Sequence, residues 1–135
     1  MKIAIACDHG GYLLKQEILI WMEENDIDFD DFGCFSTESV DYPVFAEKAA
    51  RAVADCTTGI GVSIAANKVP GIRCALCTDS LQAEMTRRHN DANMIALGAG
   101  ITGGNLAKRM VDIFLHTEFE GGRHARRVAQ LDAIR

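Results

Sequence analysis

Lys2-Ile3-Ala4-Ile5-Ala6-Cys7-Asp8-His9-Gly10-Gly11 decides the fold. Residues 2–7 form an apolar run of strand length, as expected of a strand buried on both faces of a parallel sheet. The charged pair Asp8-His9 ends the run, and Gly10-Gly11 makes a tight turn into a helix start. Leu14, Ile18, Trp21 and Met22 then recur at helical spacing across residues 12–25. Residues 27–32 set Ile and Phe against Asp, the pattern of a strand with one polar face. A polar loop, 33–42, leads to Pro43, which suits the first turn of a helix running to residue 54. Further on, 72–77 and 93–97 read as strands and 80–88 and 105–115 as helices, with a last helix beyond Arg123. Strands alternating with helices predict one doubly wound α/β domain over residues 1–135 with a mainly parallel sheet. The chain contains no internal repeat, low-complexity tract or linker.

The chain has 135 residues, 48% hydrophobic and 24% charged, which excludes a disordered or collagen-like protein. No apolar run approaches the length of about 20 residues that a membrane span needs. The start of the chain has too short an apolar stretch for a signal peptide, which predicts a cytoplasmic protein. Net charge is −5. Acidic residues crowd the first fifty positions, and the basic ones gather late, at Arg123, Arg126 and Arg127. That balance argues against nucleic acid and favours a small anion as ligand. The cysteine count is five, an odd number with no secretion signal, so a disulfide framework is not expected. Cys74 and Cys77 form a CxxC pair inside an apolar run. No second CxxC or His pair completes a zinc set, and the pair reads as buried strand rather than as a redox or metal site.

In an open parallel sheet, ligands bind at the carboxyl ends of the strands. Asp8-His9, Cys56-Thr57-Thr58-Gly59-Ile60-Gly61, and Gly98 with Gly100 fall at such ends. Glycines 59 and 61 let backbone N–H groups converge on an anion ahead of a helix. A cysteine at the mouth of such a loop can act as a thiolate base or nucleophile; the other reading is a structural turn. Asp8 and His9 can bind sugar hydroxyls or move protons, or Asp8 can cap the next helix. His89-Asn90-Asp91 precedes a strand instead of following one. It needs a neighbouring subunit, or a turn back over the sheet, to reach the same pocket. The other reading of His89 is a cation at a helix C-terminus. Arg123 and Arg127 lie four apart on one helix face, and arginine forks match phosphate; a solvated surface run is the other reading.

The phrases ACDHGG, ESVDYP, GIGVSIAANKVPGIR, RHNDANMIALG and EFEGGRHARRV, in this order, resemble the ribose-5-phosphate isomerase type B family, which includes galactose-6-phosphate isomerase. The resemblance implies a Rossmann-like fold and a homodimer, or a homotetramer as a dimer of dimers, with active sites shared between subunits. It implies metal-free and cofactor-free aldose–ketose isomerisation of a small phosphorylated sugar through an enediolate. Cys56 would be the base between C1 and C2, and His89 would open the furanose ring. Asp8 and His9 would hold substrate, and Tyr42 would line the pocket. Thr57, Thr58, Gly59, Ile60 and Gly61 would form the anion loop, with Thr58 assisting catalysis. Asn90 would reach the enediolate from the partner subunit, and Arg123 and Arg127 would take the phosphate. No His/Asp/Glu cluster is evident that would offer a metal a site.

Three positions depart from the family pattern. Thr57 stands where the loop usually has glycine, and Gly100 where an arginine is usual. The segment between Pro43 and Cys56 is too short for a helix, a turn and a strand, so the central strand before Cys56 is expected to be shortened or missing. Either the residues before Cys56 abandon helix for strand, or the sheet closes up with fewer strands, or the chain lacks a segment and is impaired. Ribose 5-phosphate is the leading substrate, to which Cys56 and His89 lean. Allose or galactose 6-phosphate, and a phosphosugar-binding protein with impaired turnover, are the alternatives.

Overall fold

The computed structural model describes residues 2–39 and 52–134, and for 52–56 the backbone alone. The expected helix between residues 43 and 51, and the candidate Tyr42, lie outside the described residues. Five parallel strands, β1 (Ile3–Cys7), β2 (Phe29–Asp31), β3 (Ala52–Cys56), β4 (Cys74–Leu76) and β5 (Met94–Gly98), form one sheet in the order β2-β1-β3-β5-β4. The helices are α1 (Tyr12–Glu24), α2 (Ile60–Ala66), α3 (Ser80–Asn90), α4 (Gly104–His116) and α5 (Arg123–Asp132). This is the doubly wound arrangement expected, with β2 and β4 trimmed to three residues each.

The central strand is a correction. β3 is present over five residues, as long as β1 and β5, and residues 52–54 are strand where helix was expected. It pairs with β1 through Ala4↔Ala52 to Cys7↔Asp55, and with β5 through Val53↔Ile95 to Cys56↔Gly98. Ala-Val-Ala-Asp favours helix by propensity, but the position between two strands decides. Without β3, the facing edges of β1 and β5 would lose their hydrogen-bond partners inside the protein.

β5 is buried along its whole length and shows why both faces carry helices. Ile95 and Leu97 point into the larger cluster with Ile5, Ile18, Met110 and Val111, under α1 and α4. Met94 and Ala96 point the other way, against Val62 and Ala66 of α2. The alternation follows from the two-residue period of a strand. Lys15 on α1 is fully buried. Its Nζ donates to both Asp31 carboxylate oxygens at 2.6 Å and to the Cys34 carbonyl at 2.9 Å, tying α1 to the end of β2. Removing either partner would strand a charge in the core.

Cys77 is buried and Cys74 half-buried at the sheet, in line with the structural reading of the CxxC. Burial pushes both thiols up to about 12, helped at Cys74 by Cys77 and at Cys77 by Asp79. Cys7 is raised by burial as well. Thiols held so high stay protonated at neutral pH and lack the thiolate that redox exchange requires.

Candidate active site

The strand order places β2 on one side of β1 and β3 on the other, so the chain reverses its winding at β1/β3. Doubly wound sheets open a crevice outside the carboxyl ends of the strands at such a point. Asp8-His9 leaves β1 there, and Cys56-Thr57 leaves β3 beside it. Asp8 caps a single 3-10 turn, His9–Gly11: its Oδ1 accepts from the backbone N–H of Gly10 at 2.9 Å and of Gly11 at 3.1 Å. The cap and the substrate role are compatible, because one carboxylate oxygen does the capping. His9 Nδ1 is buried with no hydrogen-bond partner among the described residues. A buried donor or acceptor in that state is the kind of group a bound hydroxyl satisfies.

Close backbone approach holds the three loops together. A side chain at Gly10 would meet Thr57 Oγ1, and one at Gly98 would meet the Thr58 carbonyl oxygen at 2.7 Å. Gly59, at φ +75°, turns the chain into α2. The loop bond is Gly100 N–H to the Thr57 carbonyl, 2.9 Å. Thr58 Oγ1 accepts weakly from Ile60 N–H at 3.4 Å. Ile60 and Gly61 form the first turn of α2.

Thr57 is not strained. The non-glycine residues with positive φ among those described are Asp26 and Asp91, so position 57 does not need glycine. Gly100 lies against the backbone of Thr57. A Cβ at 100 would stand 2.9 Å from the Thr57 carbonyl oxygen and 3.4 Å from Thr57 Cγ2. An arginine at 100 therefore requires the Thr57 segment to move.

The remaining candidates are at the other end of the sheet. His89 and Asn90 close α3. Arg73, just ahead of β4, donates through Nε to the Asn90 carbonyl at 3.2 Å, and Arg73 and Arg87 bind the Asp91 carboxylate at 3.2 and 2.9 Å. Asp91, at φ +45°, ends the helix. This corner sits at the start of β5, whereas Cys56 pairs with Gly98 at its finish. Four strand steps at about 3.3 Å put roughly 13 Å of sheet between the two ends. Within one chain, Asp8, His9, Cys56, Thr57, Thr58, Gly59, Ile60 and Gly61 come together, and His89, Asn90, Arg123 and Arg127 form a second group.

That second group contains two residues without a role in the sequence reading. Glu120 accepts from Arg88 Nε at 2.6 Å, and its Oε2 lies 3.7 Å from both His89 Nε2 and His124 Nε2. The His89 and His124 rings stack, with centroids 4.3 Å apart and planes 5° from parallel. Arg88 holds the Glu120 carboxyl below its usual range. Arg123 and Arg127 open α5 with exposed side chains, beside His124. The spacing of Glu120 and His124, four apart, was the available signal; their meeting with His89 comes from α3 packing on α5. The cluster corrects the expectation that no metal-ligand set exists, since the three ligand atoms lie within 4.8 Å of one another. It fits an ion poorly: in parallel stacked rings the nitrogen lone pairs run side by side instead of converging on one point.

A parallel sheet of this order, with a crevice at its switch point and a cationic helix start elsewhere on the chain, defines a small-molecule site of the doubly wound α/β class. Residues 3–131 match the Ribose/Galactose Isomerase family, and the chain belongs to that family. It is 44% identical to ribose-5-phosphate isomerase B of Escherichia coli (strain K12) over 142 positions, covering 98% of this chain and 95% of the relative. The alignment is longer than the 135 residues of this chain, so the relative carries residues that this chain lacks. The structure of Clostridium thermocellum ribose-5-phosphate isomerase B superposes with a TM-score of 0.97 at 50% identity, covering 99% of this chain and 97% of that one. Ribose-5-phosphate isomerase B of Mycoplasma genitalium with bound ribulose-5-phosphate superposes at 0.93 with 34% identity, covering 97% and 93%. Among the described residues, no helix is long and apolar enough to cross a membrane.

Proposed function

We propose that this chain interconverts ribose 5-phosphate and ribulose 5-phosphate through an enediolate. Family membership across residues 3–131 is the observation that carries this reading. Ring opening comes first: His89 donates a proton to the ring oxygen as the C1–O bond breaks, and the anomeric hydroxyl gives its proton to water. The Cys56 thiolate then takes the C2 proton and electron density moves onto the C1 oxygen; a proton passes from the C2 hydroxyl to that oxygen, and as the C2 carbonyl forms the Cys56 thiol returns its proton to C1, which gives the ketose and restores the thiolate. Donors aimed at the C1 oxygen lower the barrier, a role we assign to Thr58 and the N–H groups of the 57–61 loop. Asp8 and His9 hold hydroxyls, Asn90 contacts the enediolate, and Arg123 and Arg127 bind the phosphate. The chemistry as written uses no metal or cofactor.

The two groups of residues, at opposite ends of one sheet, belong to one site only if a second copy of the chain supplies one of them. We therefore infer a homodimer, or a dimer of dimers, with shared sites. Ile60 and Ile64 on α2 support it: they follow the loop directly, lie four apart, and are 50% and 58% exposed. We propose a cytoplasmic location, which a phosphorylated-sugar substrate supports.

Solvent exchange tests the reaction. In heavy water the protein is expected to incorporate deuterium at C1 of ribulose 5-phosphate while isomerising it. Tight binding of the sugar phosphate with neither exchange nor turnover would identify a binding protein instead.

A further inference from the structure

We propose that His124 is a positioning residue for ring opening: its flat, buried ring fixes the imidazole of His89, with Glu120 setting the edge that the two rings share. The proposal rests on the reading of His89 given above. The His89 side chain is 38% exposed at the last turn of α3, and among the described residues its polar and ring partners, Glu120 and His124, both lie off that helix. His124 is 7% exposed and is held by packing. The stack at 4.3 Å and 5° transfers that rigidity from α5 to α3. Glu120 is itself anchored twice at Arg88, by the Nε–Oε1 bond and by its N–H on the Arg88 carbonyl at 3.0 Å.

Charge supports the same division of labour. The groups facing the pair are Arg88, which also holds Glu84, from α3, Glu120 from the segment before α5, and Arg123 and Arg127 from α5. Burial first, then His89 and Arg123, lower the His124 imidazolium from its usual range. Arg123 Nε also donates to His124 Nε2 at 3.4 Å, a long contact. A His124 imidazolium lowered in this way competes less with His89 for the working proton. The His124 ring also offers a protonated His89 a π face.

The test compares two variants that fill the same buried volume. His124→Phe keeps a flat ring and loses the nitrogens; His124→Leu keeps apolar bulk and loses the flat face. Isomerisation of ribose 5-phosphate needs ring opening, whereas deuterium exchange at C1 of ribulose 5-phosphate, an open-chain ketose, does not. His124→Leu is expected to lower isomerisation by about 10–100-fold relative to exchange, and His124→Phe to stay within about three-fold of wild type, since misplacing a reacting group by an ångström costs on that order. His89→Asn should match the leucine variant. In NMR spectra of ring-labelled protein, the His89 resonances should move in His124→Leu.

A wild-type ratio in His124→Leu overturns the proposal while His89→Asn still shows the defect, and so does a phenylalanine variant as impaired as leucine. If His89→Asn itself leaves the ratio unchanged, the ring-opening role falls, and the positioning role falls with it.

Discussion

Cys56→Ala is expected to lower turnover of ribose 5-phosphate by about 10²–10⁴-fold, the usual cost of losing a general base, and to leave its dissociation constant within about two-fold. The expectation comes from where the structure puts residue 56. It closes β3, opposite Gly98 at the end of β5 and beside the turn that carries Asp8 and His9. Three loops meet there at backbone-contact distances, through Gly10 against Thr57, Gly98 against Thr58 and Gly100 against Thr57. Alanine leaves that backbone unchanged and removes the proton acceptor. Binding is carried by other groups, so the loss should fall on kcat, and deuterium exchange at C1 should fall with it. Steady-state kinetics and calorimetry on the same sample check both halves. A variant that turns over at near wild-type rate would remove Cys56 from the mechanism.

Arg127→Ala is expected to weaken binding of ribose 5-phosphate by about 10–150-fold, the loss of one charge-assisted hydrogen bond. Binding of unphosphorylated ribose should hardly change. Arg88 already neutralises Glu120, and Arg123 and Arg127 have no carboxylate partner among the described residues. Their charge is available to a ligand. Gly100 offers no cation, and the Thr57 carbonyl beside it leaves an arginine no room on this backbone. On the proposed reading, the phosphate therefore depends on the start of α5. Because the contact acts on ground state and transition state alike, the effect should appear in KM more than in kcat. Equal loss for ribose and its phosphate would assign Arg127 to the sugar or to the fold instead.

Much of this is legible in the sequence. The apolar run at 2–7, its break at Asp8-His9, and the alternation of short runs with helical periods were enough for a doubly wound sheet. β3 was not legible, because Ala-Val-Ala-Asp carries no strand signature. Its conformation comes from the two strands it joins, which are distant in sequence. The close approach of position 100 to the Thr57 carbonyl was hidden for a similar reason: it depends on β3 pairing with β5 in one register. Glu120 and His124 were in view within EFEGGRHARRV, but their meeting with His89 depends on α5 lying against α3. The separation of Cys56 from His89 is a matter of strand direction.

That separation carries the central claim, that one catalytic site is built from two chains. Cys56→Ala and His89→Asn, each impaired alone, can be unfolded together, refolded as a mixture and assayed with ribose 5-phosphate. In a mixed dimer with shared sites, one site collects both defects and the other collects neither. Random assortment then returns about a quarter of wild-type activity. If each site is built within a single chain, every site in the mixture keeps one defect, and activity stays at the level of the separate variants. Recovery to about a quarter is the predicted result, and no recovery from a mixture shown to contain mixed dimers would contradict the account.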